Sequence, residues 1–156
     1  MLRKALLFIC IATAGLSAEP LSFVRDIQPI LTKTGCNAGA CHAKAITGQR
    51  GFRLSVLGFE PEEDYEAIVK QGKGRRVFPP APEESLLITK GAAIVPHTGG
   101  KHLEPGSEMY QTLVRWIAEG MPYTQPNEPV LNTIAVEPSR ISLKPKTAQQ
   151  LKVTAR

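Results

Sequence analysis

The stretch Gly35-Cys36-Asn37-Ala38-Gly39-Ala40-Cys41-His42 decides how the rest of the chain is read. It holds two cysteines, and a histidine follows the second at once. Two thiols this close to one imidazole suit covalent haem attachment. Each thiol adds to one vinyl group, and the histidine lies under the iron. The usual attachment motif has two residues between the cysteines and this one has four. Ala38, Gly39 and Ala40 are small, so the additional residues can bulge. Two other readings stay open: a local Cys36–Cys41 disulfide, and zinc held by Cys36, Cys41, His42 and a distant histidine.

The compartment follows from the N-terminus. Residues 1–18 read as a secretory signal peptide. Arg3 and Lys4 form its positive start. Ala5 to Ala14 is apolar apart from Thr13 and too short to span a bilayer. Gly15 to Ala18 supplies small residues for cleavage before Glu19. An uncleaved anchor is the alternative. A lipoprotein signal through Cys10 is disfavoured by the bulky Ile9. The expected location is periplasmic or cell-surface, with no stable membrane span after cleavage. Cleavage removes Cys10, which leaves the motif cysteines alone. It also removes Arg3 and Lys4, which lowers the formal charge from +5 to +3. A weakly positive, mixed surface without a long basic run argues against nucleic acid as a partner. Arg75-Arg76, near Lys70 and Lys73, reads as a solvated loop or as a partner for haem propionates.

Residues 19–123 are about one small domain in length. Ser22 is a good N-cap for a helix running to Lys33, with Phe23, Ile27, Ile30 and Leu31 on one face and a bend at Pro29. Residues 43–60, with Gly48, Gly51 and Gly58, read as an extended loop. Its Phe52, Leu54, Val56 and Leu57 would pack on the core or on a flat cofactor. A second helix is expected from Pro61 to Gly72, with Tyr65, Ile68 and Val69 as its stripe and Glu62, Glu63 and Asp64 as helix-start charges. A short helical turn is expected over Glu83 to Lys90. The last helix is the clearest: Ser107 caps it, Met109, Leu113, Trp116 and Ile117 line one side, and Gly120 ends it. The predicted fold is mostly α, with long loops and a modest apolar core that a buried haem would enlarge.

A second iron ligand has four candidates: His97, His102, Met109 and Met121. Met109 lies on the apolar stripe of the last helix, where core packing is its expected role. Met121 follows the helix stop. His97 precedes Thr98-Gly99-Gly100, a loop able to approach a flat ligand closely, and ranks first. No nucleophile or acid–base constellation stands out, so the chain does not read as an enzyme.

After residue 123 the pattern changes. Residues 124–132 form a polar, proline-containing linker. Beyond it, Ile134 and Val136, Ile141 and Leu143, then Leu151 and Val153 alternate with polar or small residues, which predicts three short strands in residues 133–156. Three strands cannot enclose a sandwich core, so the expectation is an incomplete domain in a longer natural chain.

These residues resemble a known family. The run Phe23-Val24-Arg25-Asp26-Ile27-Gln28-Pro29-Ile30-Leu31, followed by Gly35 to His42, is similar to the cytochrome c-like domain of large exported proteins of planctomycetes and verrucomicrobia. The likeness continues through Gly51 to Ser55, Asp64-Tyr65, Gly74 to Arg76, Pro82 to Leu87, His97 to Gly100 and Trp116 to Gly120. The four-residue cysteine spacing belongs to that family's pattern. The resemblance implies haem c bound at Cys36 and Cys41, with His42 as proximal ligand and one-electron transfer as the activity. In related domains a Met-Pro stretch before the final Trp-Ile helix supplies the distal ligand, and here that region carries Pro96-His97. Unidentified redox proteins would be the partners. Residues 130–156 look like the opening strands of a bacterial immunoglobulin-like domain. The competing expectation is a haem-free extracellular binding or adhesion module with a Cys36–Cys41 disulfide.

Overall fold

The computed structural model describes residues 19–44 and 50–156. The signal-peptide reading of 1–18, Cys10 included, and the loop position Gly48 lie outside the described residues.

The first helix begins where expected but by a different route. Ser22 accepts a hydrogen bond from the Arg25 N–H and so caps a π-helical turn, Phe23–Ile27, that runs into α1, Gln28–Lys33. Pro29 has no N–H to give to the preceding turn. The wider turn ahead of it absorbs that loss, with Gln28 N–H donating to the Phe23 carbonyl. Helix α2, Pro61–Val69, stops earlier than predicted, and Gln71–Gly74 follows as a tighter turn. The expected helix over 83–90 divides into a turn at Pro82–Glu84 and α3, Leu86–Gly91. Helix α4, Glu108–Ala118, starts at Ser107, whose hydroxyl accepts from Tyr110 N–H at 3.3 Å.

These helices share one core. Phe23, Ile27, Leu31, Leu54, Ile68, Ile88, Leu113, Trp116 and Ile117 are almost wholly buried. Phe23 lies among Tyr65, Trp116 and Tyr123, with ring centres 5.5, 5.7 and 6.1 Å away. Its N–H reaches the Pro122 and Tyr123 carbonyls at 3.0 Å, and Trp116 Nε1 donates to Pro122 O at 3.0 Å. The two ends of the helical domain are therefore closed against each other. Residues 125–128, read as linker, join that closure: Gln125 donates to the Leu21 carbonyl, and Glu128 accepts from the Ser22 hydroxyl.

Burial and a hydrogen bond to Glu62 push the Tyr123 phenol up to about 12, against an ordinary value of about 10. The folded state thus holds this proton more tightly than the unfolded chain. Stability is fully present below about pH 10 and falls as pH rises towards the folded value. Tyr123→Phe is expected to flatten that alkaline fall in urea unfolding. An unchanged slope between pH 10 and 12 would refute the assignment.

Two expectations need correcting. In the 43–60 loop, Leu54 is buried, but Val56 and Leu57 are exposed and Phe59 is 89 % exposed. A turn at Val56–Gly58 directs these side chains outward, with Leu57 at φ +55°. In the C-terminal segment only two strands form, β1 at Ile134–Glu137 and β2 at Lys152–Ala155. They are antiparallel, with Val136 opposite Val153. Ile141 and Leu143 are exposed and outside any strand. The chain is thus mostly helix and loop, with one small two-stranded sheet among the described residues. No helix among those residues is long and apolar enough to cross a membrane.

Candidate functional site

The end of α1 delivers the cysteine motif. Gly35 takes φ +78°, its N–H donates to Thr32 O, and Cys36 N–H donates to Leu31 O at 2.9 Å. This left-handed stop favours glycine and turns the chain sharply. His42 N–H then returns to the Cys36 carbonyl at 3.1 Å. The four residues between the cysteines form a loop closed by that bond, so the long spacing still keeps both cysteines and the histidine together. Asn37 is fully buried beneath the loop and donates to Thr32 Oγ1 at 2.9 Å.

His42 is held on three sides. Its carbonyl accepts from Leu54 N–H at 2.7 Å, and Lys44 N–H donates to the Leu54 carbonyl at 2.7 Å. Its ring packs on Phe52, with centres 4.5 Å apart. Its Nδ1 lies 3.2 Å from the Phe52 carbonyl. A carbonyl only accepts, so Nδ1 carries the proton and the Nε2 lone pair is uncommitted. Burial pushes this imidazole below the usual histidine range, against the opposing effect of the Phe52 hydrogen bond.

His97 comes from the loop after α3. This loop is tied back onto the helix, with His102 and Leu103 N–H both donating to Gly91 O at 2.8 and 2.9 Å. Gly91 has to be small, since a Cβ there would lie 2.7 Å from the buried Leu103 side chain. His97 Nδ1 lies 2.7 Å from the Gly100 carbonyl, which fixes the same tautomer as in His42. The His42 and His97 ring centres are 6.2 Å apart, and their planes differ by only 9°.

The other candidate ligands are placed differently. His102 has a carbonyl on each nitrogen: Thr34 O at 2.7 Å from Nδ1 and Gly99 O at 2.9 Å from Nε2. It lies between the His97 loop and the end of α1, and each of its nitrogens faces a backbone carbonyl rather than the cavity. Met109 and Met121 pack against the apolar core and are absent from the described lining of the cavity. The Met121 carbonyl accepts from the Tyr65 hydroxyl at 2.9 Å.

A cavity of about 850 Å³ lies against these residues, lined by Cys36, Cys41, His42, Phe52, Leu31, Leu87 and His97 among others. That volume lies within the range of sites for cofactor-sized ligands. Four cations, Arg50, Arg75, Arg76 and Lys90, are in the lining, with no Asp or Glu among the described residues. Cys36 and Cys41 are free thiols. Burial pushes the Cys36 thiol up, partly offset by its contact with the Thr34 hydroxyl at 3.3 Å. No three His, Cys, Asp or Glu groups come together as an ion-binding cluster among the described residues, so the arrangement gives the zinc reading no support.

The residues fit a haem on two counts. About 2 Å from metal to each nitrogen, plus about 1 Å from nitrogen to ring centre on each side, puts two imidazoles on one metal about 6 Å apart. The observed separation agrees. Each ring also donates its Nδ1–H to a carbonyl, the outer-shell partner that ligating histidines usually have.

The solvated-loop reading of Arg75-Arg76 fails for Arg76, which lines the cavity. It is only 7 % exposed, not solvated, and donates to the Ala67 and Gln71 carbonyls at 2.9 and 2.8 Å. Comparison with protein-family models, with curated proteins and with solved structures gives no match.

Proposed function

We propose that this chain is an exported c-type cytochrome domain that transfers single electrons. Cys36 and Cys41 would hold the haem covalently, His42 would be its proximal ligand and His97 its distal one. The observation that carries this reading is the parallel pair of histidines beside two free thiols, each ring with Nε2 uncommitted. Bound haem would supply a one-electron couple. Two imidazole ligands favour a lower potential than an imidazole–thioether pair.

The chain's own residues do the rest. The loop closed between His42 N–H and Cys36 O keeps the thiols beside the imidazole. Phe52 O and Gly100 O keep the protons of the two rings on Nδ1. Leu31, Leu86 and Leu87 give the cavity apolar walls. The cationic lining matches the carboxylates of the haem periphery. The domain would pass electrons to and from other redox proteins.

The test is expression in a host with c-type maturation, followed by denaturing haem staining and a redox difference spectrum. Covalent haem is expected in the wild type, and none in a Cys36→Ser, Cys41→Ser double variant. Correctly exported protein with a Cys36–Cys41 disulfide and no haem would overturn the proposal in favour of a binding module.

A further inference from the structure

We propose that Arg76 is the positioning residue of His42 and fixes, through Phe52, which ring nitrogen is offered to the cavity. This rests on the reading of His42 as a ligand. The guanidinium is buried, and its hydrogen bonds go to carbonyls alone: Ala67 O, Gln71 O, and Gly51 O at 3.4 Å. Among the described residues none of the ion pairs includes it. Burying a cation without a protein counter-charge is costly; Arg76 also lines the cavity, and its hydrogen bonds to backbone are a role separate from that lining.

What Arg76 provides is geometry. Its planar fork spans the end of α2 and the backbone at Gly51. Its guanidinium carbon lies over the Phe52 ring, 4.6 Å from the ring centre. Phe52 in turn packs against the His42 ring, tilted by 50° with centres 4.5 Å apart, and its carbonyl accepts a hydrogen bond from His42 Nδ1–H. Arg76, Phe52 and His42 are thus in contact one after another, anchored at one end beside a helix terminus and ending at the proposed ligand ring. Lysine could keep the charge but not the planar fork.

The test uses haem-free protein at one fixed, mildly alkaline pH. Proton–nitrogen correlation of the histidine rings reads the tautomer of each. In the wild type both His42 and His97 are expected to hold the proton on Nδ1. Arg76→Met is expected to lower the Nδ1–H to Nε2–H ratio at His42 by about threefold or more, as loss of one ordinary hydrogen bond predicts. His97 depends on Gly100 and is expected to stay unchanged. Arg76→Lys is expected to show the same selective change in smaller measure, and it carries the test if the methionine variant does not fold. An unchanged His42, or equal changes at both rings, overturns the assignment. Because no haem is used, this outcome is independent of whether the chain binds haem. Failure of haem attachment would sink the functional reading and leave the tautomer result standing.

Discussion

His97→Ala is expected to abolish the low-spin, six-coordinate spectrum of the haem-loaded chain, while His102→Ala, Met109→Leu and Met121→Leu are expected to retain it. The prediction follows from nitrogen availability. His97 has one nitrogen on Gly100 O and one uncommitted, whereas both His102 nitrogens face carbonyls. His102 would have to turn away from the Thr34 and Gly99 carbonyls before it could ligate. Met109 and Met121 would have to leave the apolar core. The readout is the absorption spectrum of both oxidation states, with added imidazole as a rescue for the alanine variant. Rescue of the low-spin form by imidazole would show that the site is intact and only the ligand was lost. A His97→Ala spectrum identical to wild type would remove His97 from the iron. A high-spin His102→Ala would instead mean that His102 holds the His97 loop in place.

How far the sequence could be read depended on the range of each interaction. Ser22 and Ser107 were legible as caps because a hydroxyl meets an N–H three residues on, and composition alone carries that signal. Gly35 was visible as the entry to the motif, although its role in turning Cys36 towards the cavity needs the backbone. The cysteine–histidine loop was legible for the same local reason. The burial of Arg76 was not. Next to Arg75 and near two lysines this residue has the look of a solvated cluster, and only the return of the chain from α2 to Gly51 buries it. The strand pattern failed in a related way. Alternation at Ile141 and Leu143 matches β1 and β2, but a strand also needs a partner edge, and these residues pair with nothing among the described residues.

Asp64 shows the same limit more sharply and carries the largest expected effect on stability. Beside Glu62 and Glu63 it reads as a helix-start charge. It is in fact 1 % exposed and accepts from Ser55 N–H, from the Ser55 hydroxyl at 2.7 Å and from Gln28 Nε2 at 2.8 Å. The partners lie 9 and 36 residues away, beyond any local pattern. The carboxylate therefore joins α1, α2 and the segment that follows Phe52 and Leu54, the same segment that clamps His42. Asp64→Ala strands at least two buried donors and is expected to cost about 3–5 kcal/mol, a large share of the roughly 5–15 kcal/mol that stabilises a domain of this kind. Asp64→Asn is expected to cost less than half of that. Gln28 Oε1 is buried without a partner. A flip of the Gln28 amide would let it accept from the new amide nitrogen, while the remaining oxygen still accepts from Ser55 N–H. Urea unfolding of the three proteins measures the difference. If Asp64→Ala lies within about 1 kcal/mol of wild type, the carboxylate is not the joint described. If Asn costs as much as Ala, charge rather than hydrogen-bond count holds this corner of the site together.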